Sequence, residues 1–141
     1  MYATLPCPAC GTLNRADLDR LAQGPRCGSC RTPLDPTRPV AVDAGSFDAV
    51  LKGSDAPVLV DFYADWCGPC RIVAPAVEAL ARARAGSVLV LKVDTDKSPG
   101  LSERLGIRGI PTLIAFRNGK ETGRHVGVAQ RAQLEALVGG P

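Results

Sequence analysis

The chain has 141 residues, of which 45% are hydrophobic and 22% charged, and its formal net charge at pH 7 is +3. This length holds one ordinary domain plus a small appendage. The weak positive charge is spread along the chain, which argues against nucleic acid or an anionic membrane as a partner. No segment approaches the roughly eighteen apolar residues that a membrane span needs.

The N-terminal stretch MYATLPCPACG lacks the charged region and apolar core of a secretory signal. We therefore expect a cytoplasmic protein, and we expect it to be a monomer. In that compartment the six cysteines of the chain are better explained as metal ligands or redox catalysts than as structural disulfides. All six fall into CxxC pairs, so each pair needs its own chemical interpretation.

Four of the cysteines lie in residues 1–34, a segment with few large apolar side chains. A segment below about 40 residues with so thin a core is not held together by packing alone. The spacing C-x2-C-x16-C-x2-C predicts a four-thiolate zinc site, because each CxxC loop supplies two ligands to a tetrahedral ion. Gly11 and Gly28 allow tight turns that aim backbone N–H groups at sulfur. The predicted ligands of one zinc ion are Cys7, Cys10, Cys27 and Cys30.

Several alternatives stay open for this segment. Two disulfides, or four free thiols in a disordered tail, would also account for the cysteines. A zinc ribbon would be structural or would contact a partner, and a redox switch that loses zinc to an oxidant is a further hypothesis. Nucleic-acid binding is disfavoured, because Asp17 and Asp19 offset the nearby arginines and the nearest aromatic is Tyr2.

The pattern changes after a Pro-rich, polar linker at residues 35–39. The stretch SFDAVLKGS predicts a short helix with Ser46 as its N-cap. Residues 57–65, PVLVDFYAD, have the apolar and β-branched profile of a strand buried on both faces. A helix is predicted over about residues 67–84, with Pro75 inside it and expected to kink it.

A second buried strand is predicted at residues 87–96, so the preceding helix forms a right-handed parallel crossover. A short helix follows at about 98–105. Asn118 and Gly119 predict a hairpin turn between two further strands, and AQRAQLEALV closes the chain as an amphipathic helix. The prediction for residues 40–141 is an α/β domain with a mixed central sheet flanked by helices on both faces.

The third pair, Cys67 and Cys70, has no second pair left to complete a four-thiolate site. It follows a buried strand and begins a helix, where free backbone N–H groups and the helix dipole stabilise a thiolate. We predict that Cys67 is the more exposed thiol and the nucleophile, and that Cys70 resolves the mixed disulfide. Gly68 and Pro69 keep the loop between them tight.

Asp61 lies among apolar neighbours in VLVDFYA, so burial should raise its pKa and make it a proton acceptor from Cys70. The alternative is a strand carboxylate paired with Lys92 that takes no part in catalysis. Trp66 is expected to shape the contact surface, although it could be ordinary packing. His125, the single histidine, belongs to no recognisable catalytic pattern, and a Cys–His dyad is disfavoured.

The sequence WCGPC after VDFYAD resembles the active site of the thioredoxin family, and the likeness covers about residues 40–141. With residues 1–34 included, the chain resembles the zinc-bearing thioredoxin-2 type of bacteria. The resemblance implies a thioredoxin fold and a protein-disulfide reductase that works in electron transport and under oxidative stress. It further implies disulfide-containing protein substrates, an NADPH-dependent thioredoxin reductase as partner and no bound organic cofactor.

The resemblance also implies roles for particular residues. The family has a cis peptide bond before the proline that faces the dithiol, here Ile110–Pro111, and a glycine beside the substrate groove, here Gly127. Asp61 and Lys92 match the family's buried acid and its partner. The implied substrate-binding residues are Trp66, Gly68, Pro69, Ile110, Pro111 and Gly127.

The chain departs from the family pattern at three positions near the active site, where Tyr63, Asp65 and Arg71 replace Trp, Glu and Lys. These changes could tune the redox potential or partner choice and leave the chemistry intact. A rival function is a zinc-dependent redox sensor or holdase-like binding module. An oxidase or isomerase is disfavoured by the Gly-Pro between the cysteines and by the missing export signal.

Overall fold

A computed structural model of the chain describes residues 1–139. It begins with a small antiparallel hairpin formed by β1 (Tyr2–Pro6) and β2 (Leu13–Asp17), with Pro6 opposite Leu13 in the register. A 3-10 helix, Leu18–Gln23, follows the hairpin. These two strands were not predicted from the sequence, because their few apolar residues show no clear alternation.

The second sheet has five strands in the order β3-β5-β4-β6-β7. Its first three neighbours, β3, β5 and β4, are parallel, whereas β6 is antiparallel to β4 and β7 is antiparallel to β6. The predicted mixed sheet is therefore confirmed. The strands are β3 (Val40–Ala41), β4 (Val58–Tyr63), β5 (Leu89–Asp94), β6 (Thr112–Arg117) and β7 (Lys120–Val126).

Helices cover both faces of this sheet, as predicted. The apolar stripes of α2 and α4 share one buried cluster with alternate strand residues such as Leu59 and Leu113. On the other face, α1 and α3 share a cluster with Val60 and Phe62, where the ring of Phe47 lies 6.2 Å from that of Phe62. The helices are α1 (Phe47–Gly53), α2 (Gly68–Ala83), α3 (Pro99–Arg104) and α4 (Arg131–Val138).

Strand β4 carries the residues that place the candidate site. Its side chains alternate between the two faces, so Leu59 joins the cluster beneath α2 while Val60 joins the opposite cluster. Asp61 is two residues after Leu59 and therefore lies on the α2 side. The carboxyl end of β4 leads directly into the start of α2, which brings the third CxxC pair to the same edge of the sheet.

The N-terminal hairpin packs against the end of α1. The backbone of Tyr2 accepts a hydrogen bond from the Asp55 N–H at 3.0 Å and donates to the Asp55 Oδ1 at 2.7 Å. Thr4 donates its N–H to the Ser54 Oγ and its hydroxyl to the Gly53 carbonyl, each at 3.0 Å. The N-terminal segment therefore shares the core of the larger domain, since three side chains of the hairpin and one of the 3-10 helix that follows it join the α1 cluster. They are Ala3, Leu5, Ala16 and Leu18.

Two predicted local signals have different outcomes. Ser46 occupies the N-cap position of α1, but its side chain makes no capping bond; its hydroxyl donates to the Asp43 carboxylate at 3.2 Å instead. The hairpin turn is confirmed, because Asn118 and Gly119 have φ angles of 52° and 78° between β6 and β7. Positive φ at both central residues is the geometry of a type I′ turn.

Candidate active site and metal centre

Cys67 and Cys70 form a disulfide at the first turn of α2, with their Cα atoms 5.3 Å apart. Cys67 is the N-cap residue, and its Sγ accepts a hydrogen bond from the Cys70 backbone N–H at 3.2 Å. Pro69 fits the first turn because the N–H that it lacks has no partner within the helix there. The sulfur of Cys67 therefore lies at the positive end of the helix dipole, which favours a thiolate in the reduced form.

The two cysteines differ little in exposure. Cys67 is 3% exposed and Cys70 is 5% exposed, so the prediction that Cys67 is the more exposed residue is wrong for the disulfide form. Cys67 is a neighbour of Ile110, the first residue of the cis peptide bond Ile110–Pro111. The Ile110 carbonyl oxygen lies 3.8 Å from the Cys67 Sγ, so this backbone borders the sulfur of Cys67.

The structure brings together three residues of the predicted groove. The Gly127 N–H donates to the Pro111 carbonyl at 2.8 Å, and Gly127 has a φ of 96° that favours glycine. Because Pro111 follows Ile110, this bond ties Gly127 to the backbone that borders the Cys67 sulfur. The neighbouring Val126 is 60% exposed, which leaves an apolar side chain on the solvent side of the site.

Trp66 is 68% exposed, so it is a surface residue rather than part of the packed core. Its indole Nε1 donates to the Asp96 carboxylate at 2.9 Å. The sequence analysis missed Asp96. Asp96 follows the carboxyl end of β5, which is parallel to β4, and the ends of neighbouring parallel strands meet at one edge of a sheet. The position of Asp96 just after a predicted parallel strand is the feature from which its proximity to Trp66 could have been predicted.

Asp61 is a buried carboxyl group behind the disulfide. It is 7% exposed, and within the described residues its Oδ1 has no hydrogen-bond partner. Burial raises its pKa to about 7, although the charge of Lys92 offsets part of that rise. Lys92 is its register neighbour on β5 and is exposed. A carboxyl group of this kind exchanges a proton near neutral pH.

The four N-terminal cysteines converge as predicted. Their sulfur atoms all lie within 4.8 Å of one another. The Sγ atoms of Cys7 and Cys30 are 3.6 Å apart, and so are those of Cys10 and Cys27. A tetrahedral zinc ion with bonds of ~2.3 Å requires sulfur–sulfur distances of ~3.8 Å. The donor set and its spacing therefore fit one zinc ion.

The two CxxC loops of this site repeat the same backbone turn. The Gly11 N–H donates to the Cys7 carbonyl at 2.9 Å, and the Arg31 N–H donates to the Cys27 carbonyl at 3.0 Å. Gly11 and Arg31 both have positive φ, of 78° and 68°. Arg31 therefore takes the left-handed conformation in the second loop that Gly11 takes in the first, while Gly28 lies within the second turn.

Backbone N–H groups point at sulfur in both loops, as the sequence analysis expected. The Ala9 N–H lies 3.3 Å from the Cys7 Sγ, and the Ser29 N–H lies 3.4 Å from the Cys27 Sγ. The pKa of the Cys27 thiol falls to about 6, chiefly because the Cys30 backbone N–H also points at its sulfur. These contacts favour the thiolate form that a metal ligand needs.

Two other expectations concern residues away from these sites. The ring of His125 lies on β7, where its Nε2 is 3.1 Å from the Val128 carbonyl oxygen, and this contact gives no support to a Cys–His dyad. None of the helices in residues 1–139 combines the length and the apolar character required to cross a membrane.

A disulfide at the start of a helix, beside a cis-proline on a mixed sheet, defines a thiol-disulfide oxidoreductase. Residues 38–139 match the family model described as Thioredoxin. Residues 6–32 match the zinc-ribbon model described as Thioredoxin 2, N-terminal. The chain belongs to the thioredoxin family, and it is a protein-disulfide reductase with the thioredoxin fold.

Individual relatives agree with this assignment. The chain is 36% identical over 129 residues to Thioredoxin C-3 of Corynebacterium nephridii, which covers 92% of this chain and 88% of that protein. It is 43% identical over 97 residues to the chloroplastic thioredoxin M-type of Pisum sativum, covering 69% of this chain and 56% of that protein. The structure of a mutant thioredoxin from Halobacterium salinarum NRC-1 aligns with a TM-score of 0.68 at 38% identity, covering 74% of this chain and 91% of that chain.

Proposed function

We propose that this reductase acts on disulfides of cytoplasmic proteins through dithiol–disulfide exchange at Cys67 and Cys70. The observation that carries the proposal is the Cys67–Cys70 disulfide at the N-terminus of α2, bordered by the Ile110 carbonyl. An NADPH-dependent thioredoxin reductase would return the disulfide to the dithiol. No bound organic cofactor is required, because the two cysteines carry both electrons.

In the first step the Cys67 thiolate attacks one sulfur of a substrate disulfide. A bond forms between Cys67 and that sulfur, the substrate's own S–S bond breaks, and the second substrate sulfur leaves as a thiolate that takes a proton from water. The N-terminus of α2 and the N–H of Cys70, 3.2 Å from the Cys67 Sγ, favour the attacking thiolate. These contacts support Cys67 as the nucleophile.

In the second step Cys70 resolves the mixed disulfide. Its thiol gives a proton to the Asp61 carboxylate and its sulfur attacks Cys67, so the internal disulfide forms and the first substrate sulfur leaves as a thiolate. The substrate is then reduced by two electrons and the enzyme is oxidised. Support for Asp61 as acceptor comes from its burial, its unpartnered Oδ1 within residues 1–139 and its pKa of about 7. Lys92 supports this role through its charge.

We place the substrate across the exposed rim of the disulfide. An extended peptide would lie against the Trp66 ring and the backbone around the cis peptide, where Trp66 and Val126 offer exposed apolar surface. The backbone N–H and C=O groups of an extended peptide would form hydrogen bonds with backbone groups of the groove. The proposed substrate-binding residues are Trp66, Gly68, Pro69, Ile110, Pro111 and Gly127.

We propose that the N-terminal module, residues 1–34, is a ribbon held by one zinc ion and joined by a linker at 35–39 to the thioredoxin domain at 40–141. Its ligands would be Cys7, Cys10, Cys27 and Cys30. When bound, zinc would supply folding free energy to a module whose own apolar core is thin. Because all four sulfur atoms would bind the zinc ion, they would take no part in turnover.

The test is turnover of a protein disulfide coupled to thioredoxin reductase, in wild type and in Cys67→Ser and Cys70→Ser. We expect both variants to lose at least a thousandfold in rate and to keep one zinc per chain. Cys70→Ser should also accumulate a mixed disulfide with the substrate on Cys67, which mass spectrometry detects. Substantial turnover by Cys67→Ser would assign the chemistry to an N-terminal pair and contradict the proposal.

A second candidate function is a zinc-dependent redox sensor or holdase-like module. The 3.6 Å separations between the sulfurs of Cys7 and Cys30 and of Cys10 and Cys27 favour it, since only a small movement would join each pair once zinc left. Titration with peroxide decides: a sensor would release zinc and change partner binding at doses that leave reductase turnover intact. Zinc retained until turnover is lost would exclude this function.

A further inference from the structure

A large cleft separates the ribbon and linker from the thioredoxin sheet. Its volume is about 1010 Å³. One wall comes from the ribbon and linker, including Leu13 and Arg38, and the opposite wall comes from α2, including Cys70 and Ala74. Asp61 and Lys92, from β4 and β5, also line it. The cleft therefore reaches both Cys70 of the disulfide and the carboxyl group of Asp61.

The buried carboxyl group of Asp61 borders this cleft, and within residues 1–139 its Oδ1 lacks a hydrogen-bond partner. A buried acceptor without a protein partner is costly unless water or another donor reaches it. The cleft is roomy and has polar lining groups, which are the conditions for ordered water. Water held in the cleft would give a proton a way to leave Asp61 after turnover.

We propose that the ribbon and linker act as a positioning element of the reductase site. They form one wall of the cleft that Asp61 lines, and they fix the water and the charges that face this carboxyl group. The inference rests on the proposed role of Asp61 as proton acceptor for Cys70. It extends that role by making the N-terminal module part of the proton path. Leu13 and Arg38 are the positions through which this module acts.

Charged and titratable groups line the cleft from every element around Asp61. The sheet, α2 and the loop between β4 and α2 contribute Tyr63, Asp65, Cys70, Arg71, Glu78 and Lys92. The ribbon, the linker and the segment after β3 contribute Cys7, Asp35, Arg38 and Asp43. The charges are mixed, so adding or removing one on the ribbon side changes the local balance. One charge on the wall of the cleft should move the titration of Asp61 by roughly 0.5 pH unit.

The experiment places opposite charges on the ribbon wall. Leu13 is 42% exposed, so both Leu13→Lys and Leu13→Glu can fold with the new charge in water. Arg38→Gln removes an existing charge from the linker wall. The matched controls are Gln23→Lys and Gln23→Glu, because Gln23 is exposed and does not line the cleft. The readout is the ¹³C chemical shift of the Asp61 carboxyl carbon against pH, in oxidised, zinc-loaded, full-length protein.

We expect Leu13→Lys to lower the titration midpoint of Asp61 and Leu13→Glu to raise it, because a positive charge favours the carboxylate and a negative charge disfavours it. Arg38→Gln should raise it, and both Gln23 variants should leave it unchanged. Equal midpoints in the two folded Leu13 variants would overturn the inference, as would equal shifts from position 23. If the Leu13 variants fail to fold, an unchanged midpoint in Arg38→Gln overturns it instead.

This outcome is separable from failure of the proposed proton step. The Asp61→Asn variant serves to assign the carboxyl signal, and it also tests whether release of substrate from the mixed disulfide depends on Asp61. An unchanged release rate in Asp61→Asn would remove the proton-acceptor role, whatever the Leu13 variants do. Unchanged midpoints in the charge variants would remove the ribbon's part in the path and leave the role of Asp61 standing.

Discussion

The ribbon and the active site share the CxxC spacing but surround it differently. In the ribbon, two loops face each other, so that four sulfur atoms lie within 4.8 Å. In the active site, a single pair begins a helix and the Ile110 carbonyl lies beside it. Four facing thiolates can share a cation, whereas a lone pair at a helix N-terminus forms and breaks its own disulfide. The surroundings of the motif, rather than its spacing, decide its chemistry.

The two regions also differ in what lies behind the sulfurs. The active-site pair has the buried carboxyl group of Asp61 and the cleft beneath it. The ribbon has backbone N–H groups at its sulfurs, such as that of Ser29 at Cys27, and its cysteines Cys10 and Cys30 are exposed. A redox site needs a route for protons, whereas a structural metal site needs only stable thiolates.

The largest expected effect comes from removing zinc, which should destabilise the ribbon and leave the active site largely intact. After chelation of zinc, we expect the ribbon to lose about 5 kcal/mol or more of its free energy of unfolding, because structural zinc supplies roughly 10–16 kcal/mol in small peptides. The measurement is amide hydrogen exchange, with loss of protection in β1 and β2 while β4 and β6 keep theirs. Turnover should stay within about tenfold of the zinc-loaded enzyme.

The matched control is Cys67→Ser, which should keep its zinc and full protection of the ribbon amides while it loses turnover. Unchanged protection of β1 and β2 in the zinc-free protein would show that packing against α1 suffices to hold the ribbon. In that case the contrast between a metal-held module and a packed domain would be wrong.

The next effect concerns Asp61, the buried carboxyl group that lines the cleft beside the active-site pair. Burial raises the pKa of Asp61 to about 7, above its value of about 3.9 in an unfolded chain. The folded state then holds a proton that the unfolded state has released, so this group destabilises the fold as pH rises from about 4 to about 7. The penalty is absent below that range and complete above it.

We therefore expect the stability advantage of Asp61→Asn over wild type to grow by about 2–4 kcal/mol as the pH rises from 4 to 8. The measurement is urea unfolding of the oxidised proteins at several pH values. The control is Asp48→Asn, since Asp48 is 55% exposed and paired with Arg104. Its hydrogen bond to Arg104 outweighs its desolvation and lowers its pKa, so its effect on stability should change with pH in the opposite direction. A difference between Asp61→Asn and wild type that does not change with pH would contradict this prediction.

The sequence was sufficient to predict the mixed sheet, the convergence of the four cysteines and the burial of Asp61. Each depends on local signals: strand periodicity, CxxC spacing and apolar neighbours. It was insufficient for the bond between Trp66 and Asp96, whose residues are 30 positions apart, because side-chain pairs of that kind form only once strands align. The use of Arg31 in place of a glycine was also hidden, since most residues disfavour positive φ.

The docking of the ribbon on α1 was the largest part that sequence could not supply. The buried residues of β1 are too few to indicate a partner surface. The contact depends on shape at one point: a Cβ atom on Gly53 would lie 2.2 Å from the Thr4 Oγ1 and 2.8 Å from its Cβ. In the sequence, Gly53 is simply the end of a predicted helix. The structure explains why glycine is needed there, because Thr4, 49 residues away along the chain, packs against it.

The smallest expected effect tests that point of contact between the two regions. Gly53→Ala would gain up to about 1 kcal/mol from the lower entropy of the unfolded chain, but overpacking against Thr4 should cost about 1–3 kcal/mol. Both contacts are closer than 3.0 Å, so we expect a net loss of about 1 kcal/mol, measured by urea unfolding. The matched control is Gly100→Ala in α3, where a new Cβ meets nothing within 4 Å, and it should be neutral or stabilising.

A second variant shows whether the loss comes from the docking surface. Adding Thr4→Ala to Gly53→Ala removes the 2.2 Å contact and leaves the one at 2.8 Å, so it should restore part of the stability that Gly53→Ala costs. Because Thr4→Ala alone also removes the hydroxyl bond to the Gly53 carbonyl, the comparison is a double-mutant cycle. Additive losses would mean that the two residues do not meet, and that the ribbon is attached to the thioredoxin domain through the linker rather than seated on α1.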